Sequence, residues 1–232
     1  MNPEIRALFP GARRQVYLDV AAKGLVPGTV RERIRAYLDE QVDGTVDKGR
    51  LRRTVEETRG RIATLVGADA DEVAVTKNVS EGVNLFAASL PWASGDNVVI
   101  CPDLEHPSNI YPWYNLRRRL GVEVRAVPAA GGELPVRGMV DAIDGRTRVV
   151  TFSTVTSVPG LLGDTRPLVD AARDAGALTL ADAAQSVGAL DTDVRALGFD
   201  AMAMTAQKCL LSFFGCGFLY VRRAVADELT PI

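Results

Sequence analysis

Lys208 stands in Met204-Thr205-Ala206-Gln207-Lys208-Cys209, just after a short apolar run and just before the glycine-punctuated stretch Gly215-Cys216-Gly217-Phe218-Leu219-Tyr220-Val221. Most lysines are solvated surface cations. The neighbours of this one are Met, Ala, Thr, Gln, Leu and Phe rather than other charges. Lysine taken out of water loses the hydration that favours its ammonium form, and the neutral, nucleophilic amine becomes accessible. That is the state a Schiff base to an aldehyde requires.

Three other segments, each expected at a strand end, offer chemistry that complements such an amine. Thr76-Lys77-Asn78-Val79-Ser80-Glu81-Gly82 opens a helix. Backbone N–H groups and the helix dipole favour an anion there, and the Ser80 hydroxyl adds a hydrogen bond; taken alone, Asn78 or Ser80 serves equally as a helix cap. Glu105-His106-Pro107-Ser108-Asn109 carries the single histidine of the chain, a flat ring able to stack on an aromatic system or simply to sit at the surface. Ala181-Asp182-Ala183-Ala184-Gln185-Ser186 closes an apolar run with an aspartate. A desolvated carboxylate is costly without a cationic partner; Asp182 either caps a helix or meets such a partner. A protonated pyridine nitrogen would be one, and the pair would keep the ring an electron sink. An anion site, a flat stacker, a buried carboxylate and a desolvated lysine together describe a pyridoxal-phosphate site.

The elements that must position these groups follow from periodicity. Residues 1–20 read as an arm ending in a short strand, Gln15–Asp19. Val30–Val42 and Leu51–Val66 have helical spacing of apolar residues, and Gly67 supplies a stop. From there strands and helices alternate. Strands are expected at Val73–Thr76, Asn97–Cys101, Glu123–Val127, Arg148–Phe152, Leu178–Ala181 and Ala201–Met204. Helices are expected at Glu81–Leu90, Asn109–Leu120, Val136–Ile143, Pro167–Ala175 and Thr192–Leu197. This pattern predicts βαβ crossovers and a mostly parallel sheet covered on both faces, an α/β three-layer sandwich. Gly217–Arg222 is a seventh strand, and the loop before it is too short for a helical crossover, which predicts an antiparallel neighbour. No linker interrupts the chain. The expected organisation is an N-terminal arm and helices over 1–66 and a cofactor-binding α/β unit over 67–232.

Composition limits the remaining possibilities. The chain has 232 residues, 47% hydrophobic and 24% charged, with a net charge of -2. A dedicated nucleic-acid binder would show a basic excess, and the densest basic run, Arg117-Arg118-Arg119, fits a solvated helix end. Three cysteines, Cys101, Cys209 and Cys216, form no CxxC pair, so neither a disulfide framework nor a zinc site is expected. The N-terminus lacks the apolar core of a signal peptide, and no apolar run reaches the ~18 residues of a membrane span. A cytoplasmic protein without membrane or nucleic-acid partners is the expectation. No GxxxxGK[ST] loop or GxGxxG turn supports nucleotide binding.

From Tyr17-Leu18-Asp19-Val20-Ala21-Ala22 to Tyr220-Val221 the chain resembles the class V aminotransferases, fold-type-I pyridoxal-phosphate enzymes that include cysteine desulfurases and isopenicillin-epimerase-like proteins. The motifs that carry the resemblance are Thr76–Asn84, Glu105–Asn109, Asp182–Gly188 and Lys208–Val221, in that order. It implies that Lys208 forms the Schiff base and moves protons at the substrate α-carbon. Asp182 would pair with the pyridine nitrogen, Gln185 would hydrogen-bond the phenolic oxygen, and His106 would stack on the ring. Val79 through its backbone, Ser80, Thr205 and Gln207 would hold the phosphate.

The chain also departs from the family pattern. Gln207 replaces the usual histidine before the lysine, Ser157 stands where many members carry asparagine, and Leu210-Leu211-Ser212-Phe213-Phe214 is more apolar than usual. The family's smaller C-terminal domain, with its carboxylate-gripping arginine and the desulfurase cysteine, lies beyond Ile232. None of the three cysteines occupies the position of that nucleophile. The resemblance therefore implies an amino-acid enzyme of the desulfurase or aminotransferase kind, working as a homodimer or as a hetero-oligomer with a chain that supplies the C-terminal domain. The alternative is a non-catalytic relative that keeps the fold as a scaffold or regulatory subunit.

Overall fold

The computed structural model describes residues 3–231, so Met1 and Asn2 of the expected arm and Ile232 lie outside the described residues. In chain order the elements are α1 (Pro3–Ala7), α2 (Gly28–Asp43), α3 (Lys48–Val66), β1 (Val73–Thr76), α4 (Val79–Ser89), β2 (Asn97–Ile100), α5 (Tyr111–Leu120), β3 (Glu123–Ala126), α6 (Val136–Asp141), β4 (Thr147–Ser153), α7 (Arg166–Ala175), β5 (Leu178–Asp182), α8 (Val194–Leu197), β6 (Ala201–Thr205), β7 (Gly217–Val221) and α9 (Arg223–Ala226).

The strands form one seven-stranded sheet in the order β1-β7-β6-β5-β4-β2-β3. β7 pairs antiparallel with both β6 and β1, and every other pairing is parallel. β7 is thus the one reversed strand, as the short β6–β7 loop predicts. Period-2 alternation distributes the core between the two faces of the sheet. Val98, Ile100, Ala201, Ala203, Leu219 and Val221 pack with Val83 and Phe86 of α4 and Trp113 and Leu116 of α5. Val99, Met202, Met204, Phe218 and Tyr220 pack on the other side with Ile62 and Val66 of α3, Met139 of α6 and Leu168 of α7. Each valine, leucine, isoleucine, phenylalanine or methionine among them contributes roughly 1.5–3 kcal/mol when fully buried, and each alanine less.

One expected strand does not form. Gln15–Asp19 is a loop, with Val16 84% and Leu18 87% exposed. Its alternation is strand-like, but it joins none of the seven paired strands, and the Tyr17 hydroxyl instead donates to the Lys23 carbonyl at 2.7 Å and to the Asp19 carbonyl at 3.2 Å. α3 ends inside the core through Ile62, Ala63 and Val66, whereas α2 buries none of its residues. Among the described residues no helix is long and apolar enough to cross a membrane.

Candidate active site

At the carboxyl ends of the parallel strands lies a cavity of about 240 Å³. Val79, Ser80, His106, Asp182, Gln185, Thr205, Gln207 and Lys208 all line it. Ser108, Ser153, Val155, Ser157 and Phe214 complete much of the wall. The position follows from topology, because an open α/β sheet leaves its ligand crevice outside these strand ends.

α4 supplies one end of the cavity. Asn78 caps the helix, its Oδ1 accepting the Glu81 N–H at 2.9 Å, while the Glu81 carboxylate accepts the Lys77 N–H at 2.6 Å. The cap reading of Asn78 therefore holds, and it fixes Val79 and Ser80 at the start of the helix with Ser80 exposed. Gly217 lets β7 pass close beneath this turn: a Cβ there would sit 2.7 Å from the Met204 carbonyl and 2.9 Å from Asn78 Cα. Thr205 projects from the same face of β6 as Ala201 and Ala203, toward α4. Among the described residues its buried hydroxyl has no hydrogen-bond partner. A buried polar atom left unsatisfied costs about 1–3 kcal/mol, which an oxygen-rich ligand at this spot would offset.

Asp182 closes β5 and is 3% exposed. Its Oδ1 accepts the Ala184 N–H at 2.9 Å, and no ion pair reaches it among the described residues. Burial pushes its carboxyl above the usual carboxylate range, against the pull of that N–H, of Lys208 and of His106. Lys208 is half-buried; loss of solvent lowers its basicity, with Asp182 acting in the opposite sense. Backbone bonds set the turn that carries it, with Leu211 N–H donating to the Lys208 carbonyl at 3.0 Å and Ser212 N–H to the Ala206 carbonyl at 2.8 Å.

The segment around Ala21–Gly24 crosses this turn. Gly24 N–H donates to the Gln207 carbonyl at 2.9 Å, and a Cβ on Gly24 would collide with the Lys208 carbonyl. Gln185 donates from Nε2 to the Ala21 carbonyl at 3.1 Å, which ties the cavity wall to the same segment. Lys23 Nζ lies 4.6 Å from the centre of the Phe214 ring. His106 is exposed, and its Nδ1 accepts the Ser108 N–H at 3.2 Å and lies 2.6 Å from the Ser108 hydroxyl. Nδ1 is the acceptor in this arrangement, which leaves the ring hydrogen on Nε2. The imidazole of this exposed residue is thus held by its Nδ1 edge.

Glu105 carries a role that sequence reasoning did not give it. It is 8% exposed and accepts the Ser153 N–H at 2.6 Å, the Ser153 hydroxyl at 2.7 Å and the Asn109 amide at 2.7 Å. Burial, with Asp182 adding like charge, pushes its carboxyl up to about 7 against these hydrogen bonds. Burial also raises the thiols of Cys101, Cys209 and Cys216, which disfavours reactive thiolates.

The chain is 38% identical over 236 residues to "Probable cysteine desulfurase" of Methanothermobacter thermautotrophicus, covering 99% of this chain and 58% of that protein. The apo structure of the cysteine desulfurase from Thermococcus onnurineus superposes with a TM-score of 0.87 at 28% identity, over 100% of this chain and 59% of that one. A C-DES structure with glycine covalently linked to its PLP cofactor superposes with a TM-score of 0.90 at 24% identity, over 98% and 62% respectively, and shows the shared fold alone. The chain thus spans less than two thirds of the length of these proteins. The aminotransferase class-V family model matches residues 16–232, and the chain belongs to that family.

Proposed function

We propose that the chain is the cofactor-binding unit of a pyridoxal-phosphate enzyme that acts on an amino acid, with cysteine desulfuration as the favoured reaction and aminotransfer as the runner-up. In this reading residues 1–66 are an N-terminal arm and helices and 67–232 the α/β unit that holds the cofactor. The observation that carries it is the meeting, in one cavity, of a lysine of lowered basicity, a buried aspartate in no direct ion pair among the described residues and a threonine hydroxyl without a hydrogen-bond partner among them. Each is costly in an empty core, and each finds a partner in a phosphorylated pyridine aldehyde. The family is pyridoxal-phosphate-dependent, and relatives named cysteine desulfurases favour the C–S reaction.

The residues present fit that group. Ser80, the first N–H groups of α4, Thr205 and Gln207 would hold the phosphate, Asp182 the ring nitrogen, Gln185 the phenolic oxygen and His106 one face of the ring. Bound there, the cofactor supplies an aldehyde carbon for the lysine amine and an electron sink for negative charge developing at the substrate α-carbon. Lys208 in its neutral form would take the proton from that carbon, and its desolvation favours that form. Asp182, unscreened by solvent, would in its ionised form favour a proton on the ring nitrogen. Gln207 donates a neutral hydrogen bond, a weaker grip on phosphate than a charged donor gives.

The finer parts of the reading are two-fold pairing of these units and a second body that supplies the grip on the substrate carboxylate. Among the described residues Lys208 is the only lysine or arginine lining the cavity, which supports the second part. Absorbance of the purified chain with added cofactor, followed by borohydride and peptide mass analysis, tests the core. The expected result is a visible band lost on reduction and an adduct at Lys208. No band and no adduct at saturating cofactor leaves the non-catalytic alternative. Sulfide release from cysteine, set against keto-acid-dependent amino transfer, then separates the two reactions.

A further inference from the structure

Glu105 lies one residue before His106 and bridges from the loop after β2 to the last residue of β4. Its three hydrogen-bond partners are all donors. Asn109 cannot turn over to offer oxygen, because its Oδ1 receives the Trp113 Nε1–H, a group that can only donate, at 3.2 Å; the Thr151 hydroxyl lies 2.9 Å from the same oxygen and 2.9 Å from the Leu180 carbonyl. The Ser153 N–H is fixed in the backbone. Only the Ser153 hydroxyl can reverse and become an acceptor. Ser153 also lines the cavity and is the register partner of Asp182 across β4 and β5.

We propose that Glu105 is a positioning residue whose charge state is passed to the cavity through Ser153. Ionised, it draws the serine hydrogen away from the cavity and clamps both Ser153 and Asn109, so that His106 is held between two fixed points. Protonated, it must donate its new hydrogen, and Ser153 Oγ is the partner able to take it. The serine then turns its own hydrogen toward the cavity. One proton is taken up from solvent to form an O–H bond on Glu105, none leaves Ser153, and no other covalent bond forms or breaks.

The charged group that faces Glu105 from a neighbouring strand is Asp182. Ser153 and Thr151 of β4, and Asn109 and Trp113 beyond the His106 loop, are uncharged, while Cys101 and Asp103 lie on its own segment. His106 and Lys208 act on Asp182 instead. Where a pyridine cation binds at Asp182, an extension that rests on the reading above, ionised Glu105 adds a second negative charge behind the first. Cofactor affinity then depends on the same proton.

The test uses the chain with glutamate carboxyl carbons labelled with 13C, free of cofactor, followed by NMR across pH. A resonance absent from Glu105→Gln is expected to titrate near neutral pH, to move down in Asp182→Asn and to move up in Ser153→Ala. Should Glu105→Gln fail to fold, the joint response to the other two variants identifies the signal. An ordinary carboxylate midpoint, or one that Ser153→Ala leaves in place, overturns the proposal. In a second arm, pyridoxal-phosphate dissociation constants are compared at about pH 6 and pH 8. Their ratio is expected to differ by about threefold or more between wild type and Ser153→Ala, on the scale of one hydrogen bond; equal ratios overturn the coupling to the cavity. If the wild type binds no cofactor, the functional reading fails while the NMR arm still decides the role of Glu105.

Discussion

Ser153 and Asp182 lie side by side as register partners at the ends of β4 and β5, so the hydroxyl gripped by Glu105 adjoins the aspartate that faces the cavity. The relation is built on backbone pairing, with the Thr154 N–H donating to the Asp182 carbonyl at 3.0 Å. Two buried carboxyl groups are thus placed in one electrostatic neighbourhood. Removal from water is what raises both; the pull of Lys208 and His106 on Asp182 is outweighed by burial, and the Asp182 charge adds to the cost of ionising Glu105.

The first consequence is a slope of stability with pH. Glu105 is raised from 4.5 to about 7 in the folded chain, so between those values the folded state holds a proton that the unfolded state has lost. The unfolded state then binds fewer protons, and stability falls as pH rises through this window, being fully present only below it. The magnitude is on the order of 3 kcal/mol for a shift of this size. Urea unfolding of wild type and Glu105→Gln between about pH 5 and pH 8 reads it; the slope should be much smaller in the variant. Equal slopes would show that Glu105 does not titrate in this range.

Thr205 separates folding from binding. Its hydroxyl is buried with no hydrogen-bond partner among the described residues, and valine has nearly the same shape. Thr205→Val should leave the cofactor-free chain as stable or raise it by about 1 kcal/mol, since an unsatisfied polar atom is removed. The same change should weaken pyridoxal-phosphate binding roughly tenfold by deleting a phosphate contact. Thermal melts of the free chain and a spectral titration measure the two effects. Loss of stability with unchanged affinity would assign the hydroxyl a purely structural part.

Asn78 holds the start of α4 through its cap on the Glu81 N–H. Asn78→Ala should cost about 0.5–2 kcal/mol, the usual range for a lost cap. Fraying of that first turn should also weaken the phosphate end of the cavity, whereas Asn78→Asp should retain the cap. Urea melts and phosphate competition against the cofactor distinguish these outcomes.

The sequence marked most of this arrangement because its signals are local. Val73–Thr76 is a strand over the expected residues, and β6 declares its two faces by placing Ala201 and Ala203 against Met202 and Met204. Gln15–Asp19 carries the same alternation and forms no strand, since alternation says nothing of whether a sheet edge is within reach. Glu105 was invisible as a clamp. A charged residue in a polar loop reads as solvated, and its partner Ser153 lies 48 residues away. The bond from Gln185 to Ala21 spans 164 residues and likewise leaves no periodic trace.

Gly24 tests the link between the N-terminal segment and Lys208. A methyl group at Gly24 would collide with the Lys208 carbonyl and lie 2.8 Å from the Leu211 side chain, while the Gly24 N–H is held by the Gln207 carbonyl at 2.9 Å. Leu211 can turn aside, but the Lys208 carbonyl belongs to the turn that aims the lysine. Gly24→Ala should therefore destabilise the chain by about 1–3 kcal/mol through overpacking. It should also slow borohydride-trapped adduct formation at Lys208 even where the chain remains folded. Leu211→Ala added to Gly24→Ala should not restore the rate, because the obstruction is backbone. Full rescue by that second change would place the strain on the side chain instead, and would leave the segment a neighbour of the site with no part in aiming Lys208.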